Sequence, residues 1–154
     1  MTPILRTSLI LSSMALVLAC TGAATEKAFA EYSSAYSQAY QGFTGLELRA
    51  VQGKIWDLGD AGKPFQPQFE ALEKRHSELN DRLVEANAMA AEGKAATKPE
   101  TVRAATELLA KVKVQTDALA GDLHTLEAAL KTASQSAANP DDGNAHPSAE
   151  APAP

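Results

Sequence analysis

The chain has 154 residues, which is enough for one domain, and its many alanines together with Glu, Lys, Leu and Gln favour helix over strand. A formal net charge of −5 gives an acidic surface that repels phosphate backbones, so we expect no nucleic acid among its partners. The single cysteine excludes an intrachain disulfide, and an aromatic content of only 5% argues against a large globular core.

The first part of the chain has the layout of a secretory signal. Arg6 and the amino terminus provide positive charge, and a short apolar run follows from Ser8 to Ala19. This run is shorter than the roughly 20 apolar residues that a membrane-spanning helix needs. We therefore predict a signal peptide over residues 1–19.

The run ends in Val17-Leu18-Ala19-Cys20, and Cys20 is the only cysteine of the chain. This junction resembles the lipobox of bacterial lipoprotein precursors, in which a branched apolar residue lies three positions before the cysteine and a small residue directly before it. The resemblance covers only the first twenty residues. It implies cleavage between Ala19 and Cys20 and attachment of a diacylglycerol, with further acyl chains such as palmitate, to Cys20.

The resemblance also bears on location. Family members with an aspartate after the cysteine tend to stay in the inner membrane, and Thr21 occupies that position here. The resemblance therefore implies an anchor in the outer membrane, with the body facing the periplasm. An ordinary cleaved signal followed by an incidental cysteine is the alternative.

The mature part begins with a short tether of small residues, 20–25, and then becomes helical in pattern. Apolar side chains recur every three or four residues from Glu26 onward. They are Phe29, Tyr32, Tyr36, Tyr40, Phe43, Leu48, Val51, Ile55 and Leu58. The spacing shifts near Gly42 and Gly45, and we interpret this as a stutter within one helix over about 26–58. Two shorter helices divided at these glycines are the alternative.

Two further helices are predicted after a turn over residues 59–64. The second helix covers about 64–92 and stops at Gly93, because glycine often follows a helix C-terminus. The third covers about 98–134, and the spacing of Thr97 and Glu100 resembles a capping box at its start. From residue 137 to 154 the chain is rich in Ala, Pro, Asn and Asp, so we expect a disordered tail.

Three helices with short turns predict an all-α fold, an elongated up-down-up bundle over residues 26–136 with coiled-coil-like packing. Folding the second helix onto the third pairs their apolar positions layer by layer. Each of these two helices has one polar residue on its seam, His76 and Thr116, and both fall in the same layer. We predict a hydrogen bond between them, directly or through a water, covered by Leu48 and with no carboxylate nearby.

No set of residues predicts catalysis. His76 and His124 are about two heptads apart in the layer alignment, and His146 lies in the tail, so we expect no metal site and no cofactor. The tyrosines of the first helix and Trp56 could stack on a ligand, but we interpret them as core and partial cover. Most acidic residues of the second helix alternate with basic ones on an outer face, as solvated surfaces do.

The sequence therefore favours a lipid-anchored, non-enzymatic protein of the bacterial cell envelope, with a structural or protein-interaction role. Its partners would be the membrane, through the lipid on Cys20, and an envelope protein that the sequence does not identify. A helical-bundle binder of a small molecule, haem or metal is the alternative, and it depends on His76 and the aromatic stripe.

Overall fold

The computed structural model describes the backbone of residues 4–138 and the side chains of residues 21–138. Four α-helices follow one another in this part of the chain: α1 (Ile4–Thr44), α2 (Leu48–Asp57), α3 (Gln66–Ala95) and α4 (Pro99–Ala138). A 3-10 segment, Gly59–Phe65, connects α2 to α3, and no strand occurs among the described residues. The prediction of an all-α helical bundle is confirmed.

The bundle has three columns, because α2 continues the path of α1. Helix α4 packs against both α1 and α3, whereas α1 and α3 contact each other less. Lys94 pairs with Glu26 at 3.6 Å, and Asn87, earlier in α3, accepts from Tyr32, later in α1, so α1 and α3 are antiparallel. Gly42 in α1 lies beside Thr116 in α4, and Lys54 in α2 pairs with Glu127 at 2.7 Å, so the first column and α4 are parallel. The topology is up-down-up.

The core is a continuous apolar seam along the three columns. In α4 all nine residues of the predicted stripe are buried. They are Val102, Ala105, Leu109, Val112, Thr116, Leu119, Leu123, Leu126 and Leu130. Two residues of the stripe predicted for the second helix are only half-buried, His76 in α3 and Phe65 at the end of the 3-10 segment. The heptad spacing thus predicts which side of each helix faces its neighbours.

The first column consists of two helices, whereas our preferred interpretation was one helix over about 26–58. Helix α1 ends at Thr44 and α2 begins at Leu48, so the chain breaks beside Gly45, as in the alternative. The last buried residue before the break is Phe43 and the next is Leu48. A step of five residues rotates a side chain by about 140° around an α-helix, so a continuous helix would turn Leu48 away from the core. Glycine lowers the cost of interrupting the helix there.

The predicted tether is also helical. Residues 21–25 belong to α1, and Thr25 is 3% exposed with its hydroxyl donating to the Thr21 carbonyl oxygen at 2.8 Å. Small residues can continue a helix when one side of it packs, and here the packed side begins at Thr25. At the other end α4 includes residues 137 and 138, which we assigned to the tail. Residues 139–154 lie outside the described part, so the prediction of a disordered tail stays a prediction.

The turn between α3 and α4 differs from the predicted one. Helix α3 passes through Gly93 and ends at Ala95, and Thr97 then adopts a left-handed conformation with φ +54°. The Lys98 amide donates to the Gly93 carbonyl at 2.8 Å, and the Thr97 amide donates to the Lys94 carbonyl at 3.2 Å. This is a Schellman motif with Thr97 in the position that glycine usually occupies. Thr97 therefore ends α3 and does not form the predicted capping box.

Candidate functional site

The predicted lipid attachment and cleavage residues, Cys20 and Ala19, lie within the backbone of α1, and their side chains are outside the described residues. The nearest packed residues are Thr25 and Ala28, which are 3% and 2% exposed. Lys94 contacts this stretch, since its ammonium lies 4.1 Å from the centre of the Phe29 ring. The segment that carries Cys20 therefore leads directly into the core at the end of the bundle where α3 meets α4.

The aromatic side chains of α1 form a ladder between α1 and α3. Neighbouring rings in the series Phe29, Tyr32, Tyr36 and Tyr40 have centroids 5.8, 5.9 and 5.8 Å apart. Tyr32 is 3% exposed, and its hydroxyl donates to the side-chain oxygen of Asn87 at 3.3 Å. Burial, with a smaller contribution from Tyr36, raises the pKa of Tyr32 to about 12. Tyr32 is thus a core residue.

The ends of the aromatic set are less well covered than we expected. Tyr40 is 48% exposed and Trp56 is 66% exposed. Trp56 therefore does not act as cover for the core. Trp56 lies in the last turn of α2, near the end of the bundle opposite to Cys20.

His76 and Thr116 lie at one level of the bundle. His76 stacks on Phe43, with ring centroids 4.2 Å apart and an interplanar angle of 10°. A Cβ atom placed on Gly42 would lie 3.7 Å from the Thr116 methyl group. Because Gly42 and Phe43 are neighbours in α1, their contacts place Thr116 and His76 at the same height along the bundle axis.

The direct hydrogen bond that we predicted between His76 and Thr116 is nevertheless not formed. Thr116 is 3% exposed, and its hydroxyl oxygen has no hydrogen-bond partner. The imidazole of His76 stacks on the ring of Phe43 instead. Leu48, which we expected to cover this pair, lines an open groove beside the two rings.

The electrostatics of His76 follow from its position. Burial lowers the pKa of His76, and the carboxylate of Glu73 opposes this by favouring the charged imidazole. Our expectation that no carboxylate would lie near His76 is therefore wrong. Burial outweighs the charge of Glu73, since Glu73 is itself exposed to solvent and its field is screened.

Two larger grooves lie on the surface, and a smaller one of about 230 Å³, lined by Leu46 and His124 among others, lies between them. One, of about 520 Å³, lies at the break and is lined by His76 together with Phe43, Leu46 and Leu48. The other, of about 650 Å³, lies between α2 and α4 and is lined by His124. Its other polar lining residues are Lys54, Asp57, Glu127, Lys131, Ser134 and Gln135. The second groove was not predicted, because it joins residues more than 60 positions apart in the sequence.

The structure does not bring the histidines together. His76 and His124 line separate grooves, and His146 is outside the described residues. Among residues 21–138 no three His, Cys, Asp or Glu side chains are grouped so that they could hold a metal ion. Within the same described stretch, none of the helices has the length and apolar character needed to cross a membrane.

No protein-family model matches the chain, and no curated protein or solved structure is significantly similar to it. Function is therefore inferred from the chain's own residues. The two features that bear on it most are the junction at Cys20 and the way in which α1 joins that junction to the bundle.

Proposed function

We propose that this protein is a lipid-anchored component of the bacterial cell envelope with a structural or protein-interaction role. The observation that carries the proposal is the position of the only cysteine, directly after a short apolar run and a small residue, Ala19. The lipid would be attached to the Cys20 sulfur after cleavage between Ala19 and Cys20. Thr21 in the following position favours the outer membrane, with the bundle facing the periplasm.

The anchor is physically sufficient. Burial of an acyl chain contributes about 0.8 kcal/mol per methylene, so a single chain gives weak, reversible attachment whereas two chains hold a protein stably. A diacylglycerol on Cys20 supplies two. The protein body would then need no contact of its own with the bilayer in order to remain bound.

The proposal is tested by replacing the cysteine. Wild-type protein should fractionate with membranes, and mass spectrometry of its N-terminal peptide should show cleavage before Cys20 and an added diacylglycerol. Cys20→Ala should lack the lipid and be lost from the membrane fraction. Thr21→Ala is the matched control, because it changes the next residue and should leave lipid attachment intact. Unchanged membrane fractionation of Cys20→Ala would contradict the proposal.

A second candidate is a binder of a small molecule, haem or metal, and the apolar groove beside His76 is the observation that favours it. His76 would be the residue that ligates the iron of a haem or a metal ion there, and the apolar side chains of Phe43 and Leu48 would pack against the group. Absorbance spectra and metal analysis of the purified protein test this directly. A bound chromophore or metal that is lost in His76→Leu, but kept in His124→Leu, would favour this candidate over the first.

A further inference from the structure

The connection between Cys20 and the bundle is helical. Helix α1 runs without interruption from Ile4 to Thr44, so it includes Cys20 and the residues that follow it. At a rise of 1.5 Å per residue, Cys20 lies about 9 Å along the helix axis from Glu26. After cleavage before Cys20 the helix begins at that residue and reaches buried Thr25 within five residues, so the connection between the lipid and the bundle is short.

The end of the bundle nearest to Cys20 is the α3–α4 turn. Glu26 and Phe29 of α1 both contact Lys94 in the last turn of α3. Thr25, five residues after Cys20, is already buried. The α3–α4 turn, Lys94–Lys98, is exposed. Because Lys94 makes these contacts with α1, the turn lies beside the point at which α1 leaves the bundle toward Cys20.

The opposite end is formed by the 3-10 segment, Gly59–Phe65. Helix α3 connects the two ends, and its 30 residues correspond to a length of about 45 Å. The side chain of Trp56 and the groove lined by Lys54 and His124 lie in the half of the molecule near this far end. The two ends are thus about 45 Å apart, whereas Cys20 lies only about 9 Å along α1 from Glu26, which contacts Lys94 beside the α3–α4 turn.

From these positions we infer that the bundle stands end-on on the membrane, with the α3–α4 turn against the lipid headgroups and the Gly59–Phe65 segment farthest away. The inference rests on the proposed function, since it requires lipid on Cys20. The turn carries both signs of charge nearby, with Lys94 and Lys98 beside Glu92 and Glu100. The short helical connection to the lipid, more than attraction to anionic headgroups, therefore sets the orientation.

This orientation determines what a partner can reach. The surface near the α3–α4 turn is hidden by the bilayer, whereas exposed Trp56 and the groove lined by Lys54 and His124 point into the periplasm. A protein partner would therefore meet the far half of the rod first.

The experiment compares two alanines at opposite ends, Ala96 and Ala61, which are both exposed. Lipidation consumes the thiol of Cys20, so Ala96→Cys and Ala61→Cys each introduce the only free thiol. Each full-length variant is purified in its lipidated form, labelled with a fluorophore and placed in vesicles with a short-range quencher on the lipid headgroups. Because ~45 Å separates the two ends, we expect quenching at position 96 to exceed that at position 61 at least about twofold.

A flexible Gly-Ser insertion after Thr21 is the structural control. It leaves the anchor and the bundle intact but removes the helical connection, so it should lower quenching at position 96 toward the value at position 61. Equal quenching at both positions without the insertion, or stronger quenching at position 61, would overturn the end-on orientation. Mass spectrometry separates this result from failure of the proposed function: lipidated protein with equal quenching contradicts the orientation alone, and protein without lipid on Cys20 contradicts both.

Discussion

Two glycines within α-helices should respond differently when each is replaced by alanine. Gly93 lies in α3 where its last turn passes close to the start of α4. A Cβ atom added there would lie 2.8 Å from Val102 Cγ2, 3.0 Å from Thr101 Cβ and 3.0 Å from the Val102 backbone nitrogen. Gly121 lies in α4, and a Cβ atom added there would meet nothing within 4 Å.

The magnitudes follow from two contributions to the free energy of unfolding. Alanine is favoured over glycine in a helix interior by about 0.8–1 kcal/mol, and this gain applies at both positions. Overpacking a close helix contact costs about 1–3 kcal/mol, and this cost applies only to Gly93, because backbone of α4 must move there. Gly121→Ala should therefore stabilise the bundle by about 1 kcal/mol, whereas Gly93→Ala should be neutral or destabilise it by up to about 2 kcal/mol.

Thermal unfolding followed by circular dichroism tests this on the unlipidated chain of residues 21–154. For a helical body of this size, a change of 1 kcal/mol shifts the midpoint by about 4 °C. The two variants should differ by several degrees, with Gly121→Ala the more stable. Equal stabilisation by both replacements would show that α3 and α4 do not approach as closely at Gly93 as the structure indicates.

Three further changes test single positions. Thr116→Val should stabilise by about 1 kcal/mol in urea unfolding, because it removes a buried hydroxyl that has no partner, and a loss of stability would show that the hydroxyl is bonded. Thr97→Gly should stabilise by about 0.5–1 kcal/mol, because it relieves a left-handed residue, whereas Thr97→Ala should give no gain. Stability should fall as the pH is lowered below about 6.5, because the pKa of His76 is lower in the folded state and the unfolded chain binds the proton more readily. His76→Leu should flatten this pH dependence and His124→Leu should not; equal slopes would contradict the assignment to His76.

The sequence predicts the seams of α3 and α4 well because both helices keep a regular three-four spacing against one continuous neighbour. Every stripe residue of α4 from Val102 to Leu130 is buried. A heptad pattern is a local signal, and it needs no knowledge of the partner to indicate which side of a helix is covered. The same regularity allows the two helices to be aligned layer by layer, which places His76 and Thr116 at the same level.

The connections are predicted less well, because they depend on energies that the pattern does not contain. In the sequence, the spacing shift near Gly42 and Gly45 can be interpreted as a stutter within one helix or as a break, and the choice depends on how α4 packs against both halves. At the α3–α4 turn, Gly93 appears in the sequence to be a helix stop. Its actual requirement is for space beside Val102, and no feature of a single sequence distinguishes these two uses of glycine.

The stabilising contacts are unevenly distributed along the rod. At the α3–α4 end, Ala86, Ala90, Val102 and Ala105 are fully buried, and the Schellman motif ties the helices together. At the middle level the chain is interrupted after Thr44, the Thr116 hydroxyl is buried without a partner, and His76 is only half-buried. An unpaired buried hydroxyl costs about 1–3 kcal/mol, and an interrupted helix has fewer internal hydrogen bonds to offset that cost. The stack of His76 on Phe43 is a contact between α3 and α1 at this level, so protonation of the imidazole perturbs the bundle next to the interruption and the unpaired hydroxyl.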